Sequence, residues 1–149
     1  MIELVDIQVS EDVSDVPDTQ KIQQWVIEVF SALDKSSMTV TIRVVGENEM
    51  LSLNRRYGGK DYPTNVLSFP FEPIPKICTD LLGDIVICAP VVKREALVEK
   101  KIISDHWAHM IVHGMLHLCG YQHDDDEEAM EMEALEKQLL VKCGVADPF

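Results

Sequence analysis

The chain has 149 residues, 46% of them hydrophobic, and a net charge of −13 at pH 7. That length suits one domain with a real core and leaves little room for a second. The acidity argues against a general nucleic-acid binder, and no apolar run approaches the roughly 18 residues of a membrane span.

Residues 2–9 alternate loosely and predict a strand. The acidic stretch that follows carries Pro17 and predicts a loop. Asp18 or Thr19 can cap a helix running to about Leu33, with Ile22, Trp25, Val26, Val29, Phe30 and Leu33 as its apolar stripe. Residues 38–45 alternate and are β-branched, which predicts a strand. Residues 47–57 predict a helix with Met50, Leu51, Leu53 and Asn54 inward and Gly58-Gly59 as its stop. Residues 65–71 read as extended, ending or lying at a sheet edge because Pro70 cannot donate to a ladder. Residues 72–79 form a proline-bearing loop, and residues 81–89 a strand. Pro90 fits the first turn of a helix to about Lys100, and Ser104 can cap the next, to about Leu118. A last helix spans residues 125–142, with Met132, Leu135, Leu139 and Leu140 inward and Gly144 as its end. The order predicts one α/β (α+β) domain over residues 1–149, a small mixed β-sheet packed with about five helices.

The N-terminus carries Glu3, Asp6, Glu11 and Asp12 and no basic region, unlike a signal peptide, so a cytoplasmic location is expected. Cys78, Cys88, Cys119 and Cys143 form no CxxC pair and are expected to be reduced thiols, Cys119 packing rather than ligating. The charge is uneven: residues 124–136 hold eight of the 26 acids and no base, and elsewhere 18 acids face 13 bases. Those acids read first as a solvated helix start favoured by the helix dipole. Arg55, Arg56 and Lys60 cluster within six residues, so a local basic cleft is compatible with the overall charge.

All five histidines lie between positions 106 and 123. At about 100° per residue, His106, His109, His113 and His117 share an arc of roughly 80° on one helix. His113 and His117 stand one turn apart, and Gly120 permits a sharp turn that brings His123 back. Three imidazoles so placed predict a metal site with an open coordination position. Imidazole suits several transition metals, and redox-silent hydrolysis points to one zinc ion per chain. His106 and His109 are expected beside the ligands or the substrate cleft.

Two families share the histidine spacing. The metzincin pattern HExxHxxGxxH matches at His113, His117, Gly120 and His123, but its general-base Glu position holds Gly114. The segment His113-Gly114-x-Leu116-His117-Leu118-x-Gly120-Tyr121-x-His123 more closely resembles the signature of the YbeY family, bacterial endoribonucleases of ribosomal RNA maturation. The likeness extends to Leu53-Asn54-x-x-Tyr57, to residues 59–71 with Gly59-Lys60-Asp61 and Asn65-Val66-Leu67-Ser68-Phe69, to Leu82-Gly83-Asp84-Ile85, and to His106-Trp107-Ala108-His109-Met110. It closes on Glu131-Met132-Glu133-Ala134-Leu135-Glu136. The resemblance implies a zinc-dependent, single-strand-preferring endoribonuclease of small-subunit rRNA 3′-end maturation and ribosome quality control. It implies ribosomal RNA and small-subunit proteins as partners, and leaves the oligomeric state open. His113, His117 and His123 match the family's metal ligands. Gly58 stands where the family carries Arg, and Gln122 where it carries Asp.

A phosphodiester needs cationic stabilisation in its transition state. The expected catalytic set is therefore His113 with its metal, and Arg56 and Lys60 as phosphate neutralisers. Asn65, Ser68 and Phe69 are expected to border the cleft, although their alternation reads equally well as strand structure. A metal-stabilised ribosome-associated factor without nuclease activity is the second reading, and a metalloprotease, lacking its Glu, the weaker third.

Overall fold

Four apolar segments pair into one sheet in the computed structural model, which describes residues 5–35, 38–71 and 80–146. They are β1 (Val5–Val9), β2 (Thr39–Val45), β3 (Val66–Pro70) and β4 (Leu81–Cys88). The spatial order is β1-β2-β4-β3. β1, β2 and β4 run parallel, and β3 joins β4 antiparallel at the edge, so the sheet is mixed. Pro70 ends β3 opposite Gly83. An edge position is where a residue without an N–H does least damage to a ladder.

Five helices surround the sheet: α1 (Thr19–Ala32), α2 (Glu47–Leu53), α3 (Ala89–Glu99), α4 (Ile103–Leu118) and α5 (Asp126–Lys142). Period-2 side chains divide between two cores. Val40, Ile42, Val44, Ile85 and Ile87 join the larger one, with the α1 stripe, much of α4, and Met132, Leu139 and Leu140 of α5. Val86 and Cys88 face the other way, onto Val45, Met50 and Val91. The fold class, element order and helix number follow the sequence reading. The expected strand residues 2–4, the loop 72–79 and Cys78 lie outside the described residues.

Local chemistry explains most boundaries. The Asp18 carboxylate accepts from the Gln20 N–H at 2.9 Å and caps α1. Pro90 sits in the first turn of α3. Gly144, at φ +92°, ends α5 through Gly144 N–H to Val141 O and Val145 N–H to Leu140 O. Two expectations need correction. Ser104 lies inside α4, which starts at Ile103 with extended Ile102 at its cap and no side-chain cap bond. The helix predicted over residues 47–57 is α-helical only to Leu53, and then widens into a π-turn, Asn54–Gly58, closed by Gly59 at φ +69°. Asn54 is buried there, and its side-chain amide donates to the Tyr62 carbonyl at 2.7 Å. A Cβ at Gly58 would lie 2.0 Å from the Asn54 Oδ1, so the glycine gives that side chain its room.

Helix α4 packs on β3, β4, α1, α3 and α5. Ten of its 16 residues are buried, Gly114 among them. A Cβ at Gly114 would meet Ile85 Cγ2 at 3.1 Å and Ser68 Oγ at 3.2 Å. The missing side chain lets the helix lie close on β3 and β4, and the Ser68 hydroxyl donates to the Gly114 carbonyl at 3.3 Å. The glutamate of the metzincin pattern would crowd Ile85 and Ser68 at this position. Gly114→Glu is expected to lose on the order of 3 kcal/mol from overpacking and a buried unpaired carboxylate. Chemical denaturation checks this; wild-type stability would show that the helix can move off the sheet.

Candidate metal centre

Burial of the rest of α4 leaves His109, His113 and His117 along its half-buried side, while His106 is 4% exposed. After Leu118 the chain turns in a Schellman motif, with Gly120 N–H to His117 O and Tyr121 N–H to Leu116 O, both 3.0 Å. Gly120 takes φ +97° in this turn. The reversal brings the exposed His123 ring to 5.0 Å from that of His117 and 5.8 Å from that of His113, centroid to centroid. One nitrogen from each of His113, His117 and His123 lies within 4.8 Å of the others.

Hydrogen bonds decide which nitrogens are available. His117 Nδ1 lies 3.0 Å from the Tyr121 carbonyl, which can only accept, so Nδ1 carries the hydrogen. His113 Nδ1 lies 3.2 Å from the Glu136 carboxylate and is a donor for the same reason. Each neutral ring therefore presents a bare Nε2, and the two Nε2 atoms stand 3.0 Å apart. Two lone pairs opposed at that distance repel unless a cation lies between or beside them. A proton is disfavoured at His117: burial first, then neighbouring His113, push its imidazolium below the usual range, against an opposing contribution from the Tyr121 hydrogen bond. A metal ion satisfies both rings, and tetrahedral zinc with Zn–N of 2.0–2.1 Å spaces neighbouring nitrogens by about 3.3 Å. The donor set fits the expected metal.

Glu136 of α5 holds this arrangement from behind and is 6% exposed. Its Oε2 accepts from His109 Nε2 at 2.9 Å as well as from His113 Nδ1. Burial alone would raise the carboxyl, but the His109 and His113 hydrogen bonds outweigh it and bring it to about 2. An ionised carboxylate on the outer nitrogen of a ligating imidazole fixes its tautomer and raises its basicity. Sequence reasoning gave Glu136 no role. Its one signal was an acid four residues after Met132 and four before Leu140, on the buried face of α5.

Two hollows open onto the histidines. One, of about 430 Å³, is bordered by Asn65, His109, His113, His123, Glu133 and Glu136. The other, of about 410 Å³, is bordered by Asn65, Ser68, His113, His117, Gln122 and His123. Asn65 and Ser68 thus stand beside the imidazoles. Phe69 faces a different hollow, with Arg43 and Tyr57. Arg56 lies with Asn48, Leu51, Ser52 and Arg55 in another surface hollow, and Lys60 is exposed beyond the π-turn. Neither borders the histidine hollows, and no other lysine or arginine among the described residues does. His106 reaches away from the three ligands to Glu95, at 2.9 Å.

The acids after His123 are exposed around the start of α5, with Asp125 capping through the Glu128 N–H at 2.8 Å. The described cysteines are free. Burial raises the Cys119 thiol, and Cys119 packs against the core rather than joining the metal group. Glu136→Gln keeps the shape but removes the charge behind His113. It is expected to weaken metal binding by about 10- to 100-fold, read by competition with a chromogenic chelator. An unchanged affinity would remove Glu136 from the site.

Comparison with known proteins agrees with this geometry. The solution structure of TM1509 from Thermotoga maritima superposes with a TM-score of 0.64 at 24% identity, covering 93% of this chain and 88% of that one. That likeness establishes the fold. The family model described as endoribonuclease YbeY matches residues 6–144. With the match spanning nearly the whole chain and a three-histidine group able to hold a metal, the protein belongs to the YbeY family of metal-dependent endoribonucleases that act in ribosomal RNA maturation.

Proposed function

We propose that the chain is a zinc-dependent, single-strand-specific endoribonuclease that matures the 3′ end of small-subunit ribosomal RNA and serves ribosome quality control in the cytoplasm. Its partners would be that RNA and proteins of the small subunit. The observation that carries the reading is the pair of bare Nε2 atoms of His113 and His117, opposed at 3.0 Å with both Nδ1 atoms already committed. Among the described residues no helix is long and apolar enough to cross a membrane.

His113, His117 and His123 would hold the zinc. When bound, zinc supplies Lewis acidity toward a phosphate oxygen and toward water. The remaining work belongs to the chain. Glu136 keeps His113 in its ligating tautomer, and the Tyr121 carbonyl does the same for His117. Ser68 ties the edge strand to α4 through the Gly114 carbonyl, which fixes one wall of the cleft. Arg56 and Lys60 enter this proposal as contacts to the RNA backbone outside the reaction centre, because they border neither histidine hollow. Alanine at either should weaken RNA binding and make its loss with salt shallower, by about one in the log–log slope, with kcat nearly unchanged.

A second reading, a metal-stabilised ribosome factor without nuclease activity, is favoured by one feature. Among the described residues no lysine or arginine borders the histidine hollows, and Gly58 stands where the family carries arginine. His113→Ala separates the two. In the nuclease reading it loses RNA cleavage by about 10²-fold or more, while the metal-free proteins melt within a few degrees of each other. Zinc removal followed by readdition should abolish and restore cleavage in the wild type only. RNA left intact by zinc-loaded wild type, with melting that collapses on metal loss, would support the second reading and sink the first.

A further inference from the structure

Asn65 immediately precedes edge strand β3 and borders both hollows beside His113 and His123. Its main-chain carbonyl is taken by the Cys88 N–H at 2.9 Å. Its side-chain amide is held by Glu95 of α3, with Nδ2 lying 3.1 Å from one carboxylate oxygen and 3.3 Å from the other. Glu95 is held in turn by His106, whose Nε2 lies 2.9 Å from Oε1. The His106 ring is buried, and its Nδ1 has no hydrogen-bond partner. A carboxylate only accepts, so the hydrogen of the neutral ring sits on Nε2, and a bare Nδ1 faces the core.

This chain of contacts removes an ambiguity. A free asparagine amide can turn over and offer either a donor or an acceptor. Beside Glu95 one orientation is excluded, because it would set Oδ1 against carboxylate oxygens. Glu95 takes one amide hydrogen, shared between its two oxygens, and turns Oδ1 the other way, so the carbonyl oxygen is the acceptor that Asn65 keeps for a ligand. A substrate group that uses this oxygen must be a donor. The phosphodiester link of a nucleic acid has only acceptor oxygens, and the donor its sugar adds in RNA, and lacks in DNA, is the 2′-hydroxyl. The neighbouring Ser68 hydroxyl is already engaged with the Gly114 carbonyl.

Building on the ribonuclease reading of the same cleft, we propose that Asn65 reads ribose: its side-chain carbonyl, oriented by Glu95, accepts from the 2′-hydroxyl of the nucleotide adjoining the cleaved phosphate. Asn65 is a substrate-binding residue in this scheme. Glu95 is a positioning residue acting through it, with His106 securing Glu95 from the core side.

The test uses zinc-loaded full-length protein and two single-stranded RNAs identical except for one 2′-deoxy nucleotide at the mapped cleavage position. Wild type is expected to prefer the all-ribose strand by about tenfold or more in kcat/KM, the worth of one well-placed hydrogen bond. Asn65→Ala should lose that factor on the all-ribose strand and almost nothing on the deoxy strand, with zinc content and melting temperature near wild type. Glu95→Gln, which frees the amide to turn, should give an intermediate preference. A structural role for Glu95 would instead lower both substrates together. Equal losses on the two strands for Asn65→Ala, or an undiminished ribose preference, overturn the proposal while leaving the nuclease reading intact. A deoxy strand that wild type does not cut at all also overturns it, since the hydroxyl then takes part in bond breaking. Wild type that cuts neither strand defeats the nuclease reading and this inference with it.

Discussion

Everything at this site depends on two imidazole nitrogens forced to face one another. The His113 and His117 Nε2 atoms are opposed because each ring's other nitrogen is spoken for, one by a carboxylate and one by a main-chain carbonyl. The second of those acceptors is supplied by the turn that delivers the third ligand. Gly120 reverses the chain, and the reversal sets the Tyr121 carbonyl against His117 and His123 beside both rings. A side chain at Gly120 would have to adopt φ +97°, a backbone conformation that costs every other residue energy. The glycine thus supports both the tautomer of one ligand and the position of another.

Charge shapes how such a site meets an anionic substrate. The chain carries −13 overall, and among the described residues Glu133 and Glu136 are the acids that border the histidine hollows. Glu136 keeps its charge, stabilised by hydrogen bonds from two imidazoles, whereas the acids at the start of α5 face solvent, where their field is screened beyond about 8 Å at physiological salt. Among the described residues no lysine or arginine borders the hollows, so from those residues a phosphate's cationic partner at short range would be a metal held by the histidines. Positive charge would then be concentrated in one replaceable ion. RNA engagement and metal loading should therefore be coupled more tightly than in a nuclease with a basic cleft.

Much of this was legible in the sequence, for identifiable reasons. The strands announced themselves by β-branched alternation, and the helices by their caps and stripes. The candidate ligands stood out because a 0, 4, 10 spacing interrupted by glycine has few purely structural uses, and the fold brings one nitrogen of each together. Other features left weaker traces. The π-turn at Asn54–Gly58 continues the predicted helix and differs from it in hydrogen-bond register, to which composition is blind. Glu136 looked like one more glutamate in an acidic helix, and only its place among Met132, Leu139 and Leu140 marked it as inward. Glu95 gave no signal, because its partners come from β3 and α4 and meet only in three dimensions. Arg56 and Lys60 attracted notice by proximity in sequence to the family motif, but the π-turn and the loop after it set them apart from the histidines.

One physical rule operates twice around the cleft. Glu136 and Glu95 are both acceptor-only groups placed behind side chains that could otherwise present either of two faces. Glu136 takes the Nδ1 hydrogen of His113 and leaves a lone pair at Nε2. Glu95 accepts from the Asn65 amide nitrogen and leaves the carbonyl turned the other way. The carboxylates lie on different helices, Glu136 buried and Glu95 partly exposed, and each is secured by a further histidine, His109 for Glu136 and His106 for Glu95. This accounts for five histidines lying along one short stretch when three suffice as ligands. The other two hold the carboxylates that hold the site, and α4 carries both because the close approach permitted by Gly114 keeps it fixed against the strands it must address.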